Sequence, residues 1–194
     1  MIMVVTGVVL LLLSAVTIAI RPFGRPLQWA ARGAAMVGYV AIFLAILSTV
    51  YMRELYGFLG RPFLWAHHTL TISGLILIIL HPTLLAIQFA SVSIYVPVFD
   101  SWRGFWLNGG RPALYLFALG AAGALMRRTW RKNWRILHMF TYVAFLLATI
   151  HSVLIGTDFG QPILRFLPLA MAVIVVAAFV KKRLYRRRKS SGSR

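Results

Sequence analysis

The chain of 194 residues contains no cysteine and only three acidic residues, Glu54, Asp100 and Asp158. Without thiols there are no disulfides, thiolate metal sites, iron–sulfur clusters or covalent c-type heme attachments within it. With so few carboxylates, a catalytic zinc site lacks its usual neighbours, and an intramembrane proton relay lacks its usual groups. Charge of any kind is scarce: 12% of residues are charged and 60% are hydrophobic. A soluble domain is about one-quarter charged. Too little charge is present to keep this chain in water, so lipid is the expected solvent.

Basic residues are the exception, giving a net charge of +18. Thirteen of the 21 lie in two short blocks, Arg127–Arg135 and Lys181–Arg194, each directly after an apolar segment. That is the pattern of cytoplasmic membrane flanks, and no nucleic-acid partner is expected. The charge-poor runs predict an all-α fold, an integral membrane bundle of six transmembrane helices. They lie near residues 1–20, 33–52, 63–90, 111–126, 136–155 and 163–180, with a basic cytoplasmic tail over 181–194. The terminal KSSGSR reads as disordered. Residues 1–20 have neither a basic n-region nor a small-residue cleavage site and read as a retained helix.

Six spans and two inward-facing basic blocks put both termini on the cytoplasmic side of the cell (inner) membrane. Loops 91–110 and 156–162 then face outward. Segment 21–32 opposes this count, because it carries Arg21, Arg25 and Arg32 yet falls outside. Glycine with proline or asparagine marks turns at 21–26, 60–62, 108–112 and 156–162. Pro82, inside the third span, is expected to kink it.

All five histidines, His67, His68, His81, His138 and His151, fall in the third and fifth spans or at their edges. An ionisable group inside a membrane is expensive and marks function by default. At 1.5 Å per residue, His67 and His81 stand about 21 Å apart in depth, and His138 and His151 about 20 Å. Two pairs therefore form at two levels, and each pair offers both axial ligands for one heme. Bis-imidazole ligation closes the iron and favours electron transfer. Porphyrin faces suit a Leu-, Ile-, Phe- and Ala-rich bundle. Two other readings stay open. One has a single heme on His81 and His151; the other is a non-redox polytopic membrane protein, a transporter or assembly factor, with structural histidines. Helical phase is less favourable than depth. Fourteen residues bring His81 to within about 40° of His67, but thirteen leave His151 about 140° from His138. A straight fifth helix does not aim both rings at one partner without overwinding, a bulge or different ring approaches.

The stretches HHTLTISGLILIILH (67–81), HMFTYVAFLLATIH (138–151) and NWRILH (133–138) resemble helices of the ferric reductase-like transmembrane domain superfamily. That superfamily includes NADPH oxidases, ferric reductases and the heme-binding membrane subunit of the bacterial protein-methionine-sulfoxide reductase system. The resemblance covers roughly residues 34–180 and rests on a fourteen-residue and a thirteen-residue histidine spacing. It implies an inner b-type heme on His67 and His138, with His68 a rival to His67, and an outer one on His81 and His151. No FAD- or NAD(P)H-binding domain follows the sixth span, so a flavin-containing (FMN or FAD) donor, or a quinone, would come as a separate partner.

Arginines near span ends are candidates for the propionates through charge-assisted hydrogen bonds. Arg61 and Arg135, with Arg53 and Arg128, belong to the inner level, and Arg103 and Arg111 to the outer. Each reads equally as a topology or lipid-facing charge. The tryptophans near span ends read as interfacial belts. The expected function is transmembrane electron transfer from a cytoplasmic flavin donor or quinol to an extracytoplasmic acceptor: a reductase partner, ferric iron or oxygen. No catalytic side chain is expected.

Overall fold

A computed structural model of the chain describes residues 25–52, 56–57, 63–155 and 162–191, with Gly7 and Leu12. The expected span 1–20, apart from those two residues, therefore lies outside the described residues. So do Arg53, Arg61 and most of the loops 53–62 and 156–162. Among the described residues there are helices and turns and no strand. In chain order the helices are α1 (Pro26–Ser48), α2 (Phe63–Phe89), α3 (Trp102–Leu107), α4 (Gly110–Leu125), α5 (Trp134–Ile155) and α6 (Pro162–Ser191). Three of them, α1, the Leu64–Phe89 part of α2, and α5, are long and apolar enough to cross a membrane.

Two expectations need correction. Segment 21–32, read as a loop, is helical from Pro26. Pro26 occupies the first helical position, where a missing N–H costs nothing. Arg25 before it is extended (φ −59°, ψ 149°), as a residue preceding proline must be. Arg32 thus lies inside the helix, and a single long cation does not interrupt it. The tail, read as disordered from Lys189, is helical to Ser191.

At its C-terminus α1 is finished by two hydroxyls. Ser48 Oγ donates to the Ala45 carbonyl at 2.6 Å, and Thr49 Oγ1 to Ile46 at 2.8 Å, adding donors to carbonyls in the last turn of the helix. α2 continues through Pro82 to Phe89. Its end is a left-handed turn at Ala90 (φ 47°), with Ser91 N–H donating to the Ala86 carbonyl at 3.0 Å. Glycine usually fills that position.

α1 is the central helix, buried along most of its second half. It packs along α2, as α4 packs along α5, while α6 lies on α5 and α1. Phe43, Phe145 and Val175, from α1, α5 and α6, are each at most 1% exposed. Tyr39 stacks on Phe145, with centroids 4.6 Å apart. Its hydroxyl meets Thr149 Oγ1 at 2.6 Å, and Thr149 in turn donates to the Phe145 carbonyl at 2.9 Å. That leaves Tyr39 as the donor to Thr149. The Pro168 carbonyl lies 3.5 Å from the same phenol oxygen, so this side chain stands where α1, α5 and α6 meet. By contrast, Ile72, Ile76, Ile79 and Ile87 form an exposed stripe on α2. Their spacing puts them along one helical face, and an apolar face of that length requires an apolar environment.

Candidate functional site

α1 and α2 are antiparallel and in constant register. His67 Nδ1 donates to the Ala45 carbonyl at 2.9 Å, and His81 Nδ1 donates to the Ala31 carbonyl at 2.9 Å. Fourteen residues separate the two histidines, and fourteen separate their acceptors. Halfway between them the helices pack tightly at Gly38 and Gly74. A Cβ on Gly38 would meet Leu77 Cβ at 3.0 Å and the Gly74 carbonyl at 3.1 Å. A Cβ on Gly74 would meet Ile42 at 3.0 Å. These glycines let the backbones approach near enough for both imidazoles to reach across.

The second pair of helices repeats the device with a different spacing. His138 Nδ1 donates to the Gly120 carbonyl at 3.2 Å, and His151 Nδ1 to the Leu107 carbonyl at 2.8 Å. Thirteen residues separate the histidines and thirteen their acceptors. Here α5 is continuous α-helix, with no π bulge from Trp134 to Ile155. The phase difference is met on the acceptor side. Gly120 belongs to α4, whereas Leu107 ends the separate helix α3, offset by the turn Asn108–Gly109. Gly110 makes room for the His151 ring: a Cβ there would lie 2.8 Å from both Cδ2 and Nε2.

A carbonyl oxygen only accepts, so each of these four histidines carries its proton on Nδ1. In a neutral imidazole the basic nitrogen is then Nε2. An Nδ1–H bond to a backbone carbonyl is the usual way a metal-ligating histidine has its tautomer and ring direction held. His68 differs. It is exposed, with its ring 5.9 Å from that of His67, and has no such carbonyl partner among the described residues.

The structure brings His67 and His138 together, with ring centroids 6.4 Å apart and planes at 75°. Metal–imidazole bonds are about 2 Å, so two imidazoles sharing one metal have centroids roughly 6 Å apart. At the other level no such ring contact joins His81 and His151 among the described residues. Among the described residues no three of His, Cys, Asp and Glu gather into a metal-holding group. A bis-imidazole heme asks for two protein ligands per iron, and the donor set fits that demand.

The candidate arginines fall differently. Arg135 lies over the Trp134 ring at 5.5 Å, and that indole is 6.2 Å from His138. Arg111 Nη1 donates to the Val96 carbonyl at 2.7 Å, which ties the loop after α2 to the start of α4. Arg103 and Arg128 are exposed. The sequence reading missed Gly110, Gly38 and Gly74 as site residues. NGGRP was legible only as a turn, and the other two are single glycines in apolar helices.

Comparison with curated proteins and with solved structures finds no match. The family described as "Domain of unknown function (DUF8596)" matches residues 27–158. That stretch holds α1 to α5 and all five histidines. Because the match covers more than half of the chain, the protein belongs to the DUF8596 family.

Proposed function

We propose that this protein is a six-span membrane electron carrier of ferric reductase-like architecture. His67 and His138 hold one b-type heme, and His81 and His151 a second. Both termini face the cytoplasm of the cell membrane. Electrons enter from a cytoplasmic flavin donor or from quinol and leave to an extracytoplasmic acceptor: a reductase partner, ferric iron or oxygen. One observation carries this reading: four histidines at two levels all spend Nδ1–H on a backbone carbonyl, which makes Nε2 the basic nitrogen of each ring. The hemes supply reversible one-electron chemistry. The protein's part is to fix the imidazole tautomer, make room through glycine and keep water away with Phe, Leu and Ile. His68 has no carbonyl partner and is not assigned as a ligand.

The same four bonds also favour a second reading, in which the imidazoles only staple helices in a non-redox membrane protein. A dithionite-reduced minus oxidised spectrum of heme-replete membranes separates the two. A b-type α-band is the expected result, and its absence would leave the staple reading standing. Heme per polypeptide should fall from two to one in His67→Ala and in His151→Ala. Full retention in both variants refutes the pairing.

A further inference from the structure

Beside the His151 level, α3 and the last turns of α5 border an open, shallow groove of about 530 Å³, lined by Trp102, Arg103, Trp106, Leu107, Ile150 and Leu154. Its size falls in the range of small-molecule sites, about 300–1,000 Å³. We propose that this groove binds the headgroup of an isoprenoid quinone or quinol. The inference rests on the proposed function, because a redox-active lipid has a role here only if His151 serves a redox centre.

The lining matches a flat ring with two opposed oxygens. Trp102 and Trp106 meet edge to face, with centroids 5.3 Å apart, and Phe105 abuts Trp106 at 5.2 Å. The α3 indoles thus offer aromatic walls. Ile150 and Leu154 continue the groove along α5, where an isoprenoid tail would leave toward lipid. Arg103 is the one cation of the lining and forms no ion pair among the described residues. Asp100, the single carboxylate side chain among them, instead accepts from the Ser101 hydroxyl at 3.3 Å. The Arg103 guanidinium therefore has donors to spare for a ring oxygen.

The groove also touches the candidate site directly. Leu107, one of its walls, accepts the His151 Nδ1–H at 2.8 Å. Ser101 Oγ accepts from Gly104 N–H at 2.9 Å, and Asn108 Nδ2 donates to the Gly104 carbonyl at 3.0 Å. These caps hold α3, and with it the aromatic walls, in a set position against α5.

The test is photo-cross-linking of the purified full chain with an azido-quinone, mapped by mass spectrometry. Each preparation is also scored for bound heme from its spectrum, so heme loss and quinone loss are read separately. Labels should fall on residues 102–107 and 150–154 and be competed by unlabelled short-chain quinone. Arg103→Gln should lower labelling per bound heme about tenfold through loss of a charged hydrogen bond. Leu154→Trp, which fills the groove, should abolish it. Labels spread along the exposed faces of α2 or α6, or competition by phosphatidylglycerol instead of quinone, would mark an ordinary lipid contact and overturn the proposal. So would unchanged labelling in Arg103→Gln and Leu154→Trp.

Discussion

The α1–α2 half and the α3–α5 half solve one problem in two ways. Each must hold two imidazoles at two levels by their Nδ1 atoms. In the first half a single straight acceptor helix suffices, because fourteen residues nearly complete a whole number of turns on both α1 and α2. Its close crossing sits midway between the levels, at Gly38 and Gly74. In the second half thirteen residues do not complete the turns, and the acceptor is split. Gly120 serves one level from α4 and Leu107 the other from α3. Glycines then stand at the levels themselves, Gly110 against His151 and Gly120 and Gly123 beside the start of α5. Histidine spacing thus dictates where the partner helix can be continuous and where it must break.

The largest expected effect breaks the second half alone. Gly110→Ala forces a Cβ against the pinned His151 ring, so heme per polypeptide should drop from two to one. Gly38→Ala, midway between levels, should leave both hemes bound. Stability should rank next. A Cβ on Gly123 would lie 2.6 Å from Leu137 Cβ and 3.2 Å from the Trp134 carbonyl, and neither atom can rotate away. Gly123→Ala should cost about 3 kcal/mol, the upper end for overpacking, read as a lower thermal midpoint in detergent. Gly38→Ala meets its neighbours only at 3.0 Å and beyond and should cost about 1–2 kcal/mol. A reversed order would show that the α1–α2 crossing, not the α4–α5 contact, is the tighter one.

Smaller effects test what joins the halves. Tyr39→Phe keeps the stack on Phe145 but removes the donor to Thr149, so it should cost about 1 kcal/mol. Loss of a heme in this variant would mean that the junction also sets the ligand positions. Ala90→Gly relieves a left-handed backbone at the end of α2 and should stabilise by roughly 0.5–1 kcal/mol. No change there would mean that the turn relaxes without strain.

Much of this was legible in particular residues. The apolar runs announced α2, α4 and α5 within about two residues, because each is bounded by Pro, Gly or a basic block. α1 was misplaced at its start, because Arg32 was read as a boundary whereas Pro26 is one. His68 and His67 were rivals in sequence. Only the fold separates them, by exposing one and giving the other a carbonyl. The bulge sought in α5 is absent, because the adjustment is made in the chain it packs against.

Composition alone determined that this chain is helical and suited to lipid, since its few charges gather at segment ends. Histidine spacing alone determined that the imidazoles stand at two levels, since helix rise is invariant. Which nitrogen of each ring is held, and by what, only the tertiary structure decided. The acceptors lie 22, 50, 18 and 44 residues from their histidines. They are backbone carbonyls, which every residue type supplies alike, so no side chain in the sequence marks them.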